Sequence, residues 1–382
     1  MRLNDCRNTA DFRELARRRL PAPLFHYIDG GADDESTLDR NTRAYDTVDL
    51  VPNVLTGVER VDMSARVLGC DLSVPLFLSP TAMQRLFHSD GEWAVADAAA
   101  QFGSLYGIST IGTRSIEEMG EYNDAHRLFQ IYVHKDAGLT NALIDRCRDA
   151  NFSALALTVD TIVAGNRERD FRTGMTTPPK LTLASLASFV MHPRWTFDYL
   201  RSPAFETPNV AAVVDVERQA ASSVAQYINE QMETCIRWDD AAAMIDRWQG
   251  PFAIKGVMSA ADAKQAVAIG ASAIMLSNHG GRQLDGSRAP FDQVAEIADA
   301  VGGQIDIIVD GGIRRGTHVL KALARGATAC SGGRFYLYAL AAAGRAGVCR
   351  AMQLMVEEIE RDMQLMGIRS LSELDESRLR AR

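Results

Sequence analysis

Eight short apolar runs recur along the chain, and the segments between several of them return an apolar residue every three or four positions. Residues 75–78, 105–108, 128–132 and 154–159 read as the first four strands, and 252–255, 273–276, 305–309 and 327–330 as four more. Unbroken apolar runs of this length suit strands buried on both faces. Except between the fourth and fifth, successive strands start about 20 to 32 residues apart, the pitch of a βα unit. Helical periodicity marks residues 93–102, 142–150, 260–269, 291–301 and 317–325, and several of these segments close on glycine. The order predicts an α/β fold, a (β/α)8 barrel. The eighth strand fits least well, because Cys330, Ser331 and Gly332 are polar or small for a barrel interior.

Two pieces lie outside the βα rhythm. Residues 1–70 form a leader, with a helix near 10–19 followed by the polar, glycine-bearing stretch from Phe25 to Glu35. Residues 165–237 form an insertion after the fourth strand, far longer than a simple βα connection and suited to a lid or binding segment. The barrel then occupies 71–164 and 238–345, and 346–382 reads as a C-terminal helical segment of the same single domain.

Composition narrows the function. Hydrophobic residues make up 47% and charged residues 24%, an ordinary globular balance, and the net charge of −8 argues against nucleic acid. Six scattered cysteines without a C-x-x-C pair read as reduced thiols of a cytoplasmic protein. No closely spaced histidine pair suggests a metal, so none is expected. The first residues lack the apolar core of a signal peptide, and no apolar run is long enough to span a bilayer.

The run Ser277-Asn278-His279-Gly280-Gly281-Arg282-Gln283 follows the sixth apolar strand directly. It places a base that titrates near neutrality beside a guanidinium able to hold a carboxylate through two parallel hydrogen bonds. Its two glycines would let backbone approach a flat ligand. Taken alone, the same residues describe an ordinary polar turn. After the seventh strand come Asp310-Gly311-Gly312-Ile313-Arg314, and after the eighth Gly333-Arg334. Those two loops form the phosphate cradle in many such barrels, although each alone is only a glycine turn. Gln130 and Thr158 stand on adjacent strands. Lys255 ends the fifth, where it either stabilises negative charge on a bound ring or pairs with a carboxylate.

These motifs, in this order, resemble the FMN-dependent 2-hydroxy acid dehydrogenase/oxidase family over nearly the whole chain, the bacterial L-lactate dehydrogenases of quinone or cytochrome type above all. The resemblance also covers Tyr27 in the Tyr-x-x-Gly-Gly-Ala-x-Asp leader, Pro80-Thr81-Ala82-Met83, Gln130-x-Tyr132, Thr158-Val159-Asp160 and Arg167-Glu168. It implies FMN as cofactor, His279 as base and Asp160 as the carboxylate that balances its charge. Arg167 and Arg282 would hold the substrate carboxylate with the Tyr27 hydroxyl, and Tyr132 would bond the substrate oxygen. Pro80, Thr81, Ala82, Ser109, Gln130, Thr158, Lys255 and Ser277 would surround the flavin ring and ribityl chain. Asp310, Gly311, Gly312, Arg314, Gly333 and Arg334 would hold the ribityl end and phosphate. A homotetramer is implied as well.

The same resemblance bears on substrate and acceptor. Ile111 stands where plant glycolate oxidases carry Trp, and Ala82 where mandelate dehydrogenases carry Gly. Both favour a short aliphatic acid, with L-lactate first, although one methylene changes specificity by only about 1–3 kcal/mol. The leader is too short for the haem domain of a flavocytochrome, so electrons are expected to pass to a separate quinone or cytochrome. Oxygen is the alternative acceptor, with release of peroxide. Residues 181–195 are apolar and end in cations and Trp195. They suit either an interfacial segment on the inner face of a bacterial membrane, within the stretch 181–200, or a helix packed on the barrel. A mandelate-type dehydrogenase and a non-catalytic FMN-binding protein are the remaining readings.

Overall fold

The computed structural model describes residues 1–175, 180–211 and 232–382. Eight parallel strands close into a barrel: β4 (Leu76–Thr81), β5 (Leu105–Ser109), β6 (His126–Ile131), β7 (Ala154–Thr158), β8 (Phe252–Val257), β9 (Ala273–Leu276), β10 (Asp306–Asp310) and β11 (Ala329–Gly332). Consecutive strands are neighbours, and β11 closes the ring against β4 through Cys330 opposite Leu76. Each lies within three residues of its expected run.

The period-two alternation of a strand explains both how the barrel packs and where its chemistry sits. Ala154 and Ala156 of β7 belong to the barrel interior, whereas Leu155 and Leu157 belong to the outer core beneath the helices. The interior cluster also takes Phe77, Leu105, Leu128, Ala253, Ala273, Met275, Ile308 and Ala329. Continuing the same parity upward replaces apolar residues with Ser79, Ser109, Gln130, Thr158, Lys255, Ser277, Asp310 and Ser331, all buried. The barrel is thus greasy at one end and polar at the other. Ser331, which looked misplaced in an apolar strand, belongs to this polar layer: its hydroxyl donates to Asp310 at 2.8 Å.

The apolar end has a floor that sequence did not reveal. The hairpin of β2 (Ala65–Val67) and β3 (Cys70–Leu72) inserts Val67, Leu68, Cys70 and Leu72 into the interior cluster. The Leu68 amide donates to Asp306 at the start of β10.

The leader carries helices Thr9–Arg19, Ala22–Asp29 and Ser36–Arg43. Asn8 caps the first of these by accepting from the Asp11 amide. The expected helical C-terminus holds only in part. Helix Arg334–Met366 stops at Gly367, whose φ of +70° ends it, and the chain finishes as β12 (Leu379–Ala381), antiparallel to β1 (Val48–Leu50). The described part of the insertion contains helices Glu168–Thr173, Leu183–Met191 and Pro193–Arg201. Among the described residues no helix is long and apolar enough to cross a membrane.

Candidate active site

The polar layer opens into a cavity of about 660 Å³ bordered by the leader, the insertion and the loops after the strands. Every residue expected at the site lines it except Asp160 and Ser277, which stand directly behind lining groups. Asp160 Oδ1 lies 3.0 Å from His279 Nδ1. Ser277 Oγ accepts from Lys255 Nζ at 3.0 Å and donates to Asp310 at 2.9 Å.

His279 has φ of +57° and is followed by Gly280 and Gly281 at +65° and +74°. This left-handed run turns the chain sharply off β9 and holds the imidazole over the cavity. The glycines also serve the packing of the chain. A Cβ on Gly280 would stand 2.6 Å from Arg334 Nη1, and one on Gly281 would stand 2.6 Å from Leu38 Cα. They make room for an arginine and for the leader, and Gly280 also lines the cavity. Gly312 is similar: a Cβ there would meet Asn41 O of the leader at 1.8 Å.

The electrostatics separate the groups. Burial is the larger influence on His279 and lowers it below the usual imidazole value, against the opposing pull of Asp160. Burial would raise Asp160, but the His279 charge and hydrogen bond outweigh it and hold the carboxylate low. With Nδ1 committed to Asp160, a neutral His279 keeps Nε2 as its free acceptor. Burial and nearby Asp160 push the Tyr132 phenol up to about 12, so it remains a donor.

Lys255 pairs with Asp310 at 2.8 Å. Asp310 also accepts from Ser79 at 2.5 Å, and despite burial the lysine and these hydroxyls pull it down to about 2. Lys255 therefore lines the cavity and has a carboxylate partner at once.

Two guanidiniums face His279 from the substrate side. Arg282 Nη1 donates to Tyr27 O at 2.5 Å and Gly30 O at 3.1 Å, and its carbon lies 4.9 Å from the Tyr27 ring centre. Burial, then Arg167, lowers Arg282 to about 9, still charged at neutral pH. Arg167 Nε is buried with no partner among the described residues. Two guanidiniums thus line the same cavity as the imidazole.

Other unpaired atoms define a second ligand surface. Ser109 Oγ donates to Gln130 Oε1 at 3.0 Å, leaving buried Gln130 Nε2 without a partner among the described residues, where Thr158 Oγ1 also has none. At the far end the half-buried Arg314 side chain bonds only its neighbouring Ile313 carbonyl and has no carboxylate within ion-pair distance among the described residues. Orphan donors at one end and an anion-seeking guanidinium at the other fit a flat heterocycle with a phosphate tail. Arg334 is differently employed: Nε, Nη1 and Nη2 donate to the carbonyls of Ile28, Gly280 and Gly30. It ties the leader to the His279 loop.

Several lining residues were not anticipated. Met175, Phe205 and Met232 come from the insertion, and Met232 packs with Val210 against Ile111. Asp170 also lines the cavity, one helical turn after Arg167. The Arg167-Glu168 motif ends two residues before it.

This geometry defines a flavin-type oxidoreductase barrel. The chain belongs to the FMN-dependent dehydrogenase family, whose model matches residues 16–381. It is 39% identical over 374 residues to L-lactate oxidase of Nostoc sp., covering 97% of each chain. To glycolate oxidase 1 of Oryza sativa subsp. indica it is 37% identical, covering 97% of this chain and 95% of the relative. The solved structure of the monotopic membrane protein (S)-mandelate dehydrogenase superposes with a TM-score of 0.93 at 31% identity, covering 99% of this chain and 100% of that one. FMN is the cofactor, and the orphan donors fit it.

Proposed function

We propose that this protein oxidises a short L-2-hydroxy acid, L-lactate first, to the 2-oxo acid and passes the electrons to a membrane quinone or a cytochrome. The carrying observation is the half-buried His279–Asp160 pair, with His279 lining one cavity together with Arg167 and Arg282. Arg167, Arg282 and Tyr27 hold the substrate carboxylate. Tyr132 donates to the C2 oxygen, and His279 Nε2 takes the substrate proton while Asp160 balances the imidazolium. Gln130, Thr158, Lys255 and Arg314 would hold FMN, which supplies the two-electron acceptor. Lys255 carries positive charge to its edge of the cavity, tempered by Asp310.

Ile111 supports the choice of a short acid. Its side chain is braced by Val210 and Met232, so the wall beside the substrate is apolar and backed. An L-lactate oxidase among the relatives is consistent with that size. A membrane acceptor is supported by the insertion. Leu183, Val190, Met191 and Leu200 are each more than two-thirds exposed on consecutive helices. Arg201 lies over the Phe197 ring at 3.9 Å, and the mandelate relative is a monotopic membrane protein. Trp195, expected at the interface, instead turns inward and donates to Leu86 O at 2.9 Å. It anchors the helices so that their other face is free for lipid.

The test is anaerobic stopped flow on the FMN-loaded protein with L-lactate, D-lactate, glycolate and (S)-mandelate, followed by reoxidation with oxygen or a quinone analogue. L-Lactate should bleach the flavin fastest, and quinone should restore it faster than oxygen. Faster restoration by oxygen would identify an oxidase, and no bleaching by any acid would refute the reading.

A further inference from the structure

One charged group in the cavity is unused by that mechanism. Asp170 lies in helix Glu168–Thr173, and its amide donates to Arg167 O at 3.0 Å, which stacks the two residues one turn apart. The neighbouring charges are committed elsewhere. Glu168 pairs with Arg172, and Arg169 pairs with Asp29 and Glu35 of the leader. Asp170 is different: it is only 8% exposed and borders the cavity. Among the described residues its carboxylate takes part in no hydrogen bond or ion pair.

We propose that Asp170 is the resident counter-charge of Arg167 and Arg282, weakening their hold on a bound carboxylate and tightening it when protonated. The inference rests on the hydroxy acid reading above and assigns a regulation of its carboxylate subsite. Two half-buried guanidiniums lining one cavity bind any carboxylate strongly, product included. A resident carboxylate lining the same cavity repels the ligand and lets it leave.

Burial is the chief influence on Asp170 and raises it to about 6, with Arg282 and then Arg167 opposing. It therefore titrates near neutrality. Among the described residues, the other charged or titratable groups lining its cavity are Tyr27, Tyr132, Lys255, His279 (paired with Asp160), Asp310, Arg314 and Arg334, and the Arg169–Asp29–Glu35 cluster is tied to its own helix. The sign follows from charge. A protonated Asp170 leaves two positive charges for the ligand, an ionised one leaves a net single charge, so affinity falls as pH rises through its value.

The test is spectroscopic and independent of turnover. FMN-loaded His279→Gln protein, which lacks the imidazole titration, is titrated with pyruvate, and Kd is read from the flavin absorbance change. Between about pH 5 and about pH 8, Kd should weaken about tenfold. Adding Asp170→Asn should abolish the slope and leave the tight value throughout, and Asp170→Glu should restore the slope. Asp170→Ser serves in the same way if the Asn variant does not load FMN. A slope that survives Asp170→Asn, or an Asn variant that binds more weakly at every pH, overturns the proposal. Failure of pyruvate to perturb the flavin in any variant overturns the hydroxy acid reading, and this proposal with it.

Discussion

His279 has one ring nitrogen left for chemistry, because the other is fixed on Asp160. Its lowered pKa means that the neutral, proton-accepting form persists below the usual imidazole range. Plotted against pH, kcat/KM with L-lactate should therefore lose its acid limb below pH ~6.5, the ordinary histidine value, and an acid limb above it would contradict this role. His279→Gln should cut anaerobic flavin reduction by about 10²- to 10⁴-fold while leaving the bound flavin spectrum in place. At this scale sequence marked most of the site, since His279, Arg282, Asp310 and Arg314 follow strands directly. It missed Asp170 and Phe205, which reach the cavity only through the folding of the insertion. It also did not reveal that Gly280 and Gly281 make room for Arg334 and Leu38, which lie far away along the chain.

Helices Leu183–Met191 and Pro193–Arg201 form the element whose exposed face is hardest to explain for a protein surrounded only by water. Transfer of one leucine from water into an apolar phase contributes roughly 1.5–3 kcal/mol. Changing Leu183, Val190 or Leu200 to Asp should thus reduce flotation with anionic vesicles about tenfold or more, with hydroxy acid reduction of the flavin unchanged. Equal flotation of wild type and variants would mean that this face meets protein instead. Strands were legible because runs such as 273–276 are uniformly apolar and buried on both faces. The hairpin Ala65–Leu72 was not, since its short alternating runs become informative only once a barrel mouth exists for Val67 and Leu68 to fill. Likewise β12 has three residues and gains its identity from β1, more than three hundred positions earlier.

Across the whole molecule, Asp29 joins three distant parts of the chain. It accepts from Arg13 of the first helix, Arg169 of the insertion and Tyr338 of the last long helix, within two residues of Tyr27. Burial would raise it, yet the hydrogen bonds from Arg13 and Tyr338 and the charges of Arg13 and Arg169 hold it at about 2. A depressed carboxylate stabilises the fold above its unfolded pKa of about 4, an effect lost as pH falls towards the folded value. Asp29→Asn should therefore cost about 2 kcal/mol in denaturant unfolding at neutral pH, even allowing for the half-exposed Arg13, and the deficit should shrink on acidification. A deficit independent of pH would show that the carboxylate charge is not what matters.

The hairpin floor bears on how a ligand leaves. With Val67, Leu68, Cys70 and Leu72 stoppering the greasy end, the cavity beside the buried serines, Lys255 and Asp310 opens towards the opposite rim. Met175, Phe205 and Met232 stand on that rim. For a nucleotide seated on Arg314 the floor offers no exit, and the ways out that remain lie past those three side chains or through the cleft beside the leader that Arg314 also borders.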